Sequence, residues 1–264
     1  LVMPETTLSW PALAASFLML VPPLVIAARL GVPVIRDTLV STLRMTVQLL
    51  LVGVYLGFVF RANHPGLTLA WVLVMLVVAD GSILRGCGLS LRTMGLPIFG
   101  ALVLGTVVPL LWMLGAVVRP SPLWEARVAI PLCGMIMGNC LKANIVGLRV
   151  FFDGVRKRER VFLLALAQSA TRREALQPFM RDALQSAMAP TLATMATTGL
   201  VALPGMMTGV ILGGISPAEA IKYQLMIMLA ILCATALTVT SAILLALPRT
   251  FAPSGVWRGD QEAA

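Results

Sequence analysis

Apolar residues run along this chain in long blocks, and polar residues collect in the short joints between them. A helix crossing a hydrocarbon layer needs about 20 predominantly apolar residues. Seven blocks read as such spans, at about 11–28, 38–60, 66–80, 96–118, 128–148, 190–213 and 219–247. The third is short, and Pro22 and Pro23 interrupt the first. That first block also resembles a signal peptide, but with neither a basic leader nor a small-x-small cleavage site it reads as a retained helix. Leu1 in place of Met fits an alternative start codon read literally, or a trimmed start.

The joint between the last two blocks is the most sharply patterned. Gly205, Gly209 and Gly213 recur every four residues behind Pro204, a spacing that lays a smooth strip on one helix face for close approach by another helix. Gly213, Gly214, Ser216 and Pro217 then turn the chain, with Ser216 as the cap of a new helix that has Pro217 in its first turn. Lys222 enters the apolar region one turn later. Gly134 and Gly138 predict a second close-packing strip.

Of 264 residues, 59% are hydrophobic and 12% charged, which a water-soluble fold of this length does not tolerate. The pattern is that of an all-α, polytopic transmembrane bundle of about seven spans, read as one membrane domain over 1–264. The net charge of +9 is lopsided. One set of joints holds Arg29, Arg36, Arg85, Arg92, Arg149, Arg156, Lys157, Arg158, Arg160, Arg172, Arg173, Arg181, Arg249 and Arg258, the other only Arg61, Arg119 and Arg127. This positive-inside bias puts the N-terminus outside and the C-terminus in the cytoplasm, and it removes the reason to read the basicity as nucleic-acid binding. Cys87, Cys133, Cys140 and Cys233 fall in or beside predicted helices, so no disulfide framework is expected.

The long polar insertion, 149–189, is expected as a cytoplasmic loop. Its basic run of Arg156, Lys157, Arg158 and Arg160 suits anionic lipid. Thr171 and Glu174 have capping-box spacing, so a helix is predicted from there, with Ala175, Phe179, Leu184 and Met188 on its apolar side and a bend or division at Pro178. Such an amphipathic helix either lies along the membrane surface or contacts a soluble partner.

Hydrolytic chemistry lacks its parts. His64 is the only histidine, and none of Lys142, Lys157 and Lys222 stands in a G-x-x-x-x-G-K-[ST] loop. What remains is polar groups at membrane depth, which need partners or a wet cavity. Arg44 and Gln48 share one helix face, and Asp80 is expected to pair with Arg44 or Arg85. Asn139, Lys142 and Lys222 complete the set. Cys133, Met137 and Cys140 put three sulfurs on one face, either ordinary apolar filling or ligands for a soft or borderline metal in transit.

Four segments carry a family resemblance: LRMTVQLLLVG around Arg44 and Gln48, IPLCGMIMGN from Ile130 to Asn139, the stretch from Ser169-Ala170-Thr171 to Asp182, and GLVALPGMMTGVILGGISPAEAIKYQLM from Gly199 to Met226. They resemble the FetB-like ABC transporter permeases, whose bacterial members are linked to iron export and whose plant relatives are linked to aluminium tolerance. Pro204, Gly205, Met206, Met207, Pro217, Ala220, Ile221, Lys222 and Gln224 stand where the bacterial motif has them. Ala193 and Ala196 stand where bacterial relatives often carry an Asp and a Lys.

The resemblance implies a permease in the bacterial cytoplasmic membrane, pairing with itself and with two copies of a separate ATPase that holds the ATP and magnesium. Thr171, Arg172, Glu174, Ala175, Arg181 and Asp182 then form the coupling helix. Arg44, Gln48, Asn139, Lys142, Pro204, Gly205, Met206, Met207, Lys222 and Gln224 form the pathway for a metal cation. The alternative is an ATP-independent carrier or channel for a small ion, with Arg44, Lys142 and Lys222 as gating or anion-binding charges.

Overall fold

The computed structural model describes residues 9–122 and 124–250; Leu1, Arg258 and the tail beyond 250 lie outside the described residues. The chain divides after Ala62 into two compact units. In the first, α1 (Trp10–Ser16), a 3-10 turn (Phe17–Leu20) and α2 (Val21–Arg29) follow without a gap. Pro22 and Pro23 are accommodated because they sit in the first turn of α2, where a backbone N–H has no helical partner to lose. In α3 (Ile35–Ala62), Thr38, Thr42 and Thr46 each donate a hydroxyl to the carbonyl four residues back. Leu43, Leu50 and Val54 are exposed on this helix, as suits lipid.

The second unit contains α4 (Pro65–Cys87), α5 (Leu91–Trp112) with a π-helical continuation (Met113–Val118), α6 (Ala126–Lys157), α7 (Glu159–Ala167), α8 (Arg172–Thr197), α9 (Gly205–Leu212) and α10 (Pro217–Thr250). α10 is its hub, packing along α5, α6 and α8. Small residues set the spacing. A Cβ on Gly105 of α5 would lie 2.2 Å from Thr238 Cγ2 of α10, and one on Gly147 of α6 would lie 2.7 Å from Val239 Cγ1. A Cβ on Gly134 would lie 3.2 Å from Met75 Cε of α4, whereas one on Gly138, Gly205 or Gly209 would meet nothing within 4 Å. Cross-helix bonds tie the ends, from Arg149 Nε to the Gly86 carbonyl at 2.7 Å and from an Arg249 guanidinium nitrogen to the Thr93 carbonyl at 2.8 Å.

Among the described residues, six helical stretches are long and apolar enough to cross a membrane: Trp10–Arg29, Ile35–Ala62, Pro65–Cys87, Leu91–Val118, Ala126–Lys157 and Pro217–Thr250. The block at 190–213 is not one helix. α8 stops at Thr197, Gly199 takes a left-handed φ of +92°, Thr198 bridges to Ala202, and only Gly205–Leu212 is helical again. Gly199 and Pro204 are the physical cause, the first favouring a conformation no helix contains and the second fixing an extended residue before α9.

The polar insertion at 149–189, expected to carry a helix from Thr171, is nearly all helix. α6 carries on to Lys157, a rod of about 48 Å at 1.5 Å per residue, well beyond the roughly 30 Å of hydrocarbon. α8 begins where the capping box predicts but runs unbroken through Pro178. That proline lies on an exposed face, where the carbonyl it leaves without a donor can be hydrated.

Candidate functional site

Three helices of the second unit each contribute a stripe to one cavity of about 390 Å³. From α6 come Met135, Asn139, Lys142, Ala143 and Val146; from α8, Ala187, Pro190, Thr191 and Thr194; from α10, Gln224, Ile227, Met228 and Ile231. The stripes follow helical spacing, each lining residue three or four from the next or beside it. The broken segment supplies the remaining wall through Pro204, Gly205 and Met206. The chain leaves helical geometry where it borders this hollow, the arrangement expected of irregular backbone at membrane depth.

Six sequence-predicted pathway residues meet here: Asn139, Lys142, Pro204, Gly205, Met206 and Gln224. Asn139 Nδ2 donates to the Met135 carbonyl at 2.8 Å, which leaves its amide oxygen as the free acceptor. Gln224 is only 6% exposed. No described residue bonds to its amide or to the Lys142 ammonium group. Thr194 gives its hydroxyl to the Pro190 carbonyl at 2.9 Å. Met135, Thr191, Thr194 and Met228 were missed by sequence reasoning. Met135 and Lys142 stand four before and three after Asn139, so that spacing alone marks the α6 stripe.

Other predicted residues sit elsewhere. Lys222 does not enter a buried pathway: its ammonium group lies 2.9 Å from Glu219, and the two side chains are 71% and 47% exposed. Met207 is buried but does not line the cavity. Arg44 and Gln48 are exposed on α3, in the first unit. Asp80 makes no ion pair with Arg85, whose Nε bonds the Gly81 carbonyl at 3.0 Å; one Asp80 carboxylate oxygen is buried without a described partner. Cys133, Met137 and Cys140 are packed into the core at 0%, 3% and 0% exposure, away from the cavity lining. No group of three or more His, Cys, Asp or Glu side chains that could hold a metal occurs among the described residues.

A second recess, of about 340 Å³, opens at the other end of α8, between Arg173, Glu174, Gln177, Met180, Arg181 and Leu184 of that helix and Val239, Thr240 and Ile243 of α10. The helix start is firmly built. Glu174 N–H donates to Thr171 Oγ1 at 3.3 Å, and the Thr171 N–H and hydroxyl reach the Glu174 carboxylate at 2.8 and 2.7 Å. Those bonds from Thr171 hold the Glu174 carboxyl below its ordinary pKa. Ala175 is buried beneath the helix, and Arg172 is partly exposed at its first turn. Asp182 is engaged: Arg158 grips it at 2.6 Å and lays its guanidinium 4.7 Å from the Phe179 ring centroid. One member of the basic run thus clamps α8 to the end of α6.

Comparison with known proteins places the chain in a family. A family model described as "Uncharacterised protein family (UPF0014)" matches residues 10–251. The UPF0014 membrane protein YjkA of Bacillus subtilis is 34% identical over 82% of this chain and 85% of its own length. The "Probable iron export permease protein FetB" of Escherichia coli is 30% identical over 86% of each chain. Protein ALUMINUM SENSITIVE 3 of Arabidopsis thaliana is 31% identical over 79% of this chain and 75% of its own. No solved structure matches the chain.

Proposed function

The chain belongs to the UPF0014 family of multi-pass membrane proteins, and from that premise we propose that it is the permease subunit of an ABC transporter exporting a metal cation such as iron. The likeness to the Escherichia coli iron export permease supports the cargo and direction. The energy then comes from two copies of a separate cytosolic ATPase that hold ATP and magnesium, working on a homodimer of this chain in the bacterial cytoplasmic membrane. An N-terminus outside and a C-terminus inside then require the broken stretch from α8 through α9 to complete a seventh crossing beside the six long helices.

One observation carries the coupling. α8 is a single helix, about 39 Å long at 1.5 Å per residue, with the charged recess at its start and Pro190, Thr191 and Thr194 on the cavity wall near its end. Force applied around Thr171–Arg181 is delivered to the cavity along one continuous helix that includes Pro178 and Pro190. Its base is braced by Arg158, so a push there moves α6 and α8 together. The chain spans the bilayer and shapes the passage; it is not itself the enzyme.

The test is export from inverted vesicles containing the chain and its ATPase. Reversing charge at Arg173 and Arg181 together is expected to abolish ATP-dependent metal movement while leaving the permease folded. Unchanged ATP-driven transport in that double variant would refute the coupling role.

A further inference from the structure

The charge inside the cavity has the wrong sign for a bare metal cation. Among the described residues, Lys142 is the one ionisable side chain in its lining, and no carboxylate lines the wall. Its neutral sulfur donors, Met135, Met206 and Met228, are soft thioethers that do little to offset a fixed ammonium group next to a hard, highly charged ion.

Three independent features supply donors instead. Lys142 offers an ammonium group without a described partner. Gln224, 94% buried by its 6% exposure, lines the cavity from the opposing helix with an amide that no described residue bonds. The third is the start of α9. Pro204 provides no side-chain cap, and the first bond of the helix runs from the Thr208 N–H to the Pro204 carbonyl at 3.0 Å. The amides of Gly205, Met206 and Met207 precede that bond and form the positive end of the helix. A Cβ on Gly205 would meet nothing within 4 Å, and Gly205 and Met206 themselves line the cavity.

We propose that the cavity receives an anionic group, a carboxylate or a phosphate, held by Lys142, the Gln224 amide and the amides that begin α9. Metal then crosses as a complex with an anionic chelator rather than as a naked ion, a conclusion that rests on the metal-export reading above. Asn139, which lines the same cavity with an amide oxygen that no described residue bonds, suits a chelator carrying a hydroxyl beside its acid groups.

The full chain in lipid nanodiscs is tested by equilibrium binding of four probes: ferric citrate, citrate alone, pyrophosphate and unchelated ferrous iron. Binding of ferric citrate and citrate, or of pyrophosphate, is expected, the preferred probe telling a carboxylate source from a phosphate one. Lys142→Glu should weaken it at least about tenfold, and Lys142→Arg should stay within about threefold of the parent. Gln224→Leu should weaken it as well, with Gln224→Asn partly restoring it. Unchelated ferrous iron bound while both anions are refused, or bound more tightly after Lys142→Glu, would overturn the proposal and leave the export reading standing. Binding that is indifferent to Lys142 and Gln224 overturns it too. The export reading fails on a different readout, the absence of ATP-driven metal movement with the ATPase present, whatever form the metal is supplied in.

Discussion

On one side of α10, Met226, Leu229, Ala230 and Cys233 close a cleft of about 990 Å³ against Val108–Val117 at the end of α5. Elsewhere along the same helix, Gln224, Ile227, Met228 and Ile231 close the 390 Å³ cavity against α6 and α8. The first is more than twice the size of the second and has almost nothing to say chemically. Its walls are mostly Val, Leu, Met and Trp, with Pro109, Gly115, two alanines and Cys233, part of its margin is the π-helix Met113–Val118, and every polar group of the backbone there belongs to a helix. Hydrocarbon fills such a space without loss. The smaller hollow holds the exposed Lys142 amine and the buried Gln224 amide, neither bonded to a described residue, and a buried polar group without a partner is the expensive kind in a low-dielectric medium. Unmet hydrogen-bonding capacity, not volume, separates a site from a gap.

The largest effect should follow from inverting the chemistry of the small cavity. Lys142→Glu is expected to reduce metal export at least about tenfold, an energy of about 1.4 kcal/mol in the step it affects. Leu229→Ala and Cys233→Ala, in the apolar cleft, should stay within about twofold by the same conversion. Export rates in matched vesicles decide it. Equal losses on both sides of α10 would erase the contrast.

A second test concerns how the two sides are held. Gly105 and Gly147 both mark close approaches to α10, but their neighbours differ. A Cβ at Gly105 meets Thr238 Cγ2 at 2.2 Å and also the Thr238 backbone nitrogen at 2.9 Å, whereas at Gly147 it meets the side-chain atoms Val239 Cγ1 and Ala187 Cβ at 2.7 and 3.2 Å. Backbone cannot rotate away. Gly105→Ala should therefore destabilise toward the upper end of the usual 1–3 kcal/mol for overpacking and Gly147→Ala toward the lower, roughly. Thermal midpoints of the purified variants give the order, and a reversed order would mean that the α5 side is the more yielding one.

Reagent access sharpens the comparison at smaller cost. Thr194→Cys should react with a water-soluble thiol reagent because it opens on the polar cavity. Cys233 should react only with a membrane-soluble one, and Cys133 and Cys140, both at 0% exposure, only after unfolding. Mass spectrometry of the labelled chain reads all four positions. Water-soluble labelling of Cys233 would show that the apolar cleft is wet.

Much of this was legible in residue order, for reasons that can be named. Long apolar blocks fix helices because a bilayer offers backbone groups no other partner, and Thr171 with Glu174 fixes a helix start because the cap bonds are local. The stripe Met135–Asn139–Lys142 is likewise readable from period alone. Lys222 was misplaced because its exposure depends on how α10 is turned against α5, α6 and α8, and its short-range partner Glu219 outweighs any pull inward. The sulfur face of Cys133, Met137 and Cys140 is a true helix face, but periodicity cannot say whether a face looks into a core or a cavity. The break at Gly199–Pro204 hid inside an apolar run because hydropathy is blind to backbone conformation. Its glycine and proline were the signal.

The smallest effect belongs to the far end of α8, where the charged recess forms a third surface against α10. Thr171→Ala removes the acceptor for the Glu174 N–H and should cost the helix start about 1 kcal/mol, with coupling loosened and binding in the distant cavity unchanged. The pH dependence has a defined sign. The bonds from Thr171 lower the pKa of Glu174 from 4.5, so the folded helix start holds the ionised form in preference to the unfolded one. That contribution is fully present above the ordinary value and is lost as pH falls through the lowered one. Protection factors of the 171–181 amides, which remove the intrinsic pH dependence of exchange, should therefore stay flat from neutral pH down to the ordinary carboxylate range and fall below it. In Thr171→Ala, exchange should already be faster at neutral pH and the acid-dependent step should shrink. An acid-dependent step of equal size in both proteins would mean that the carboxylate is held by something other than the cap, and that the end of α8 nearest the proposed ATPase is organised independently of the residues that begin it.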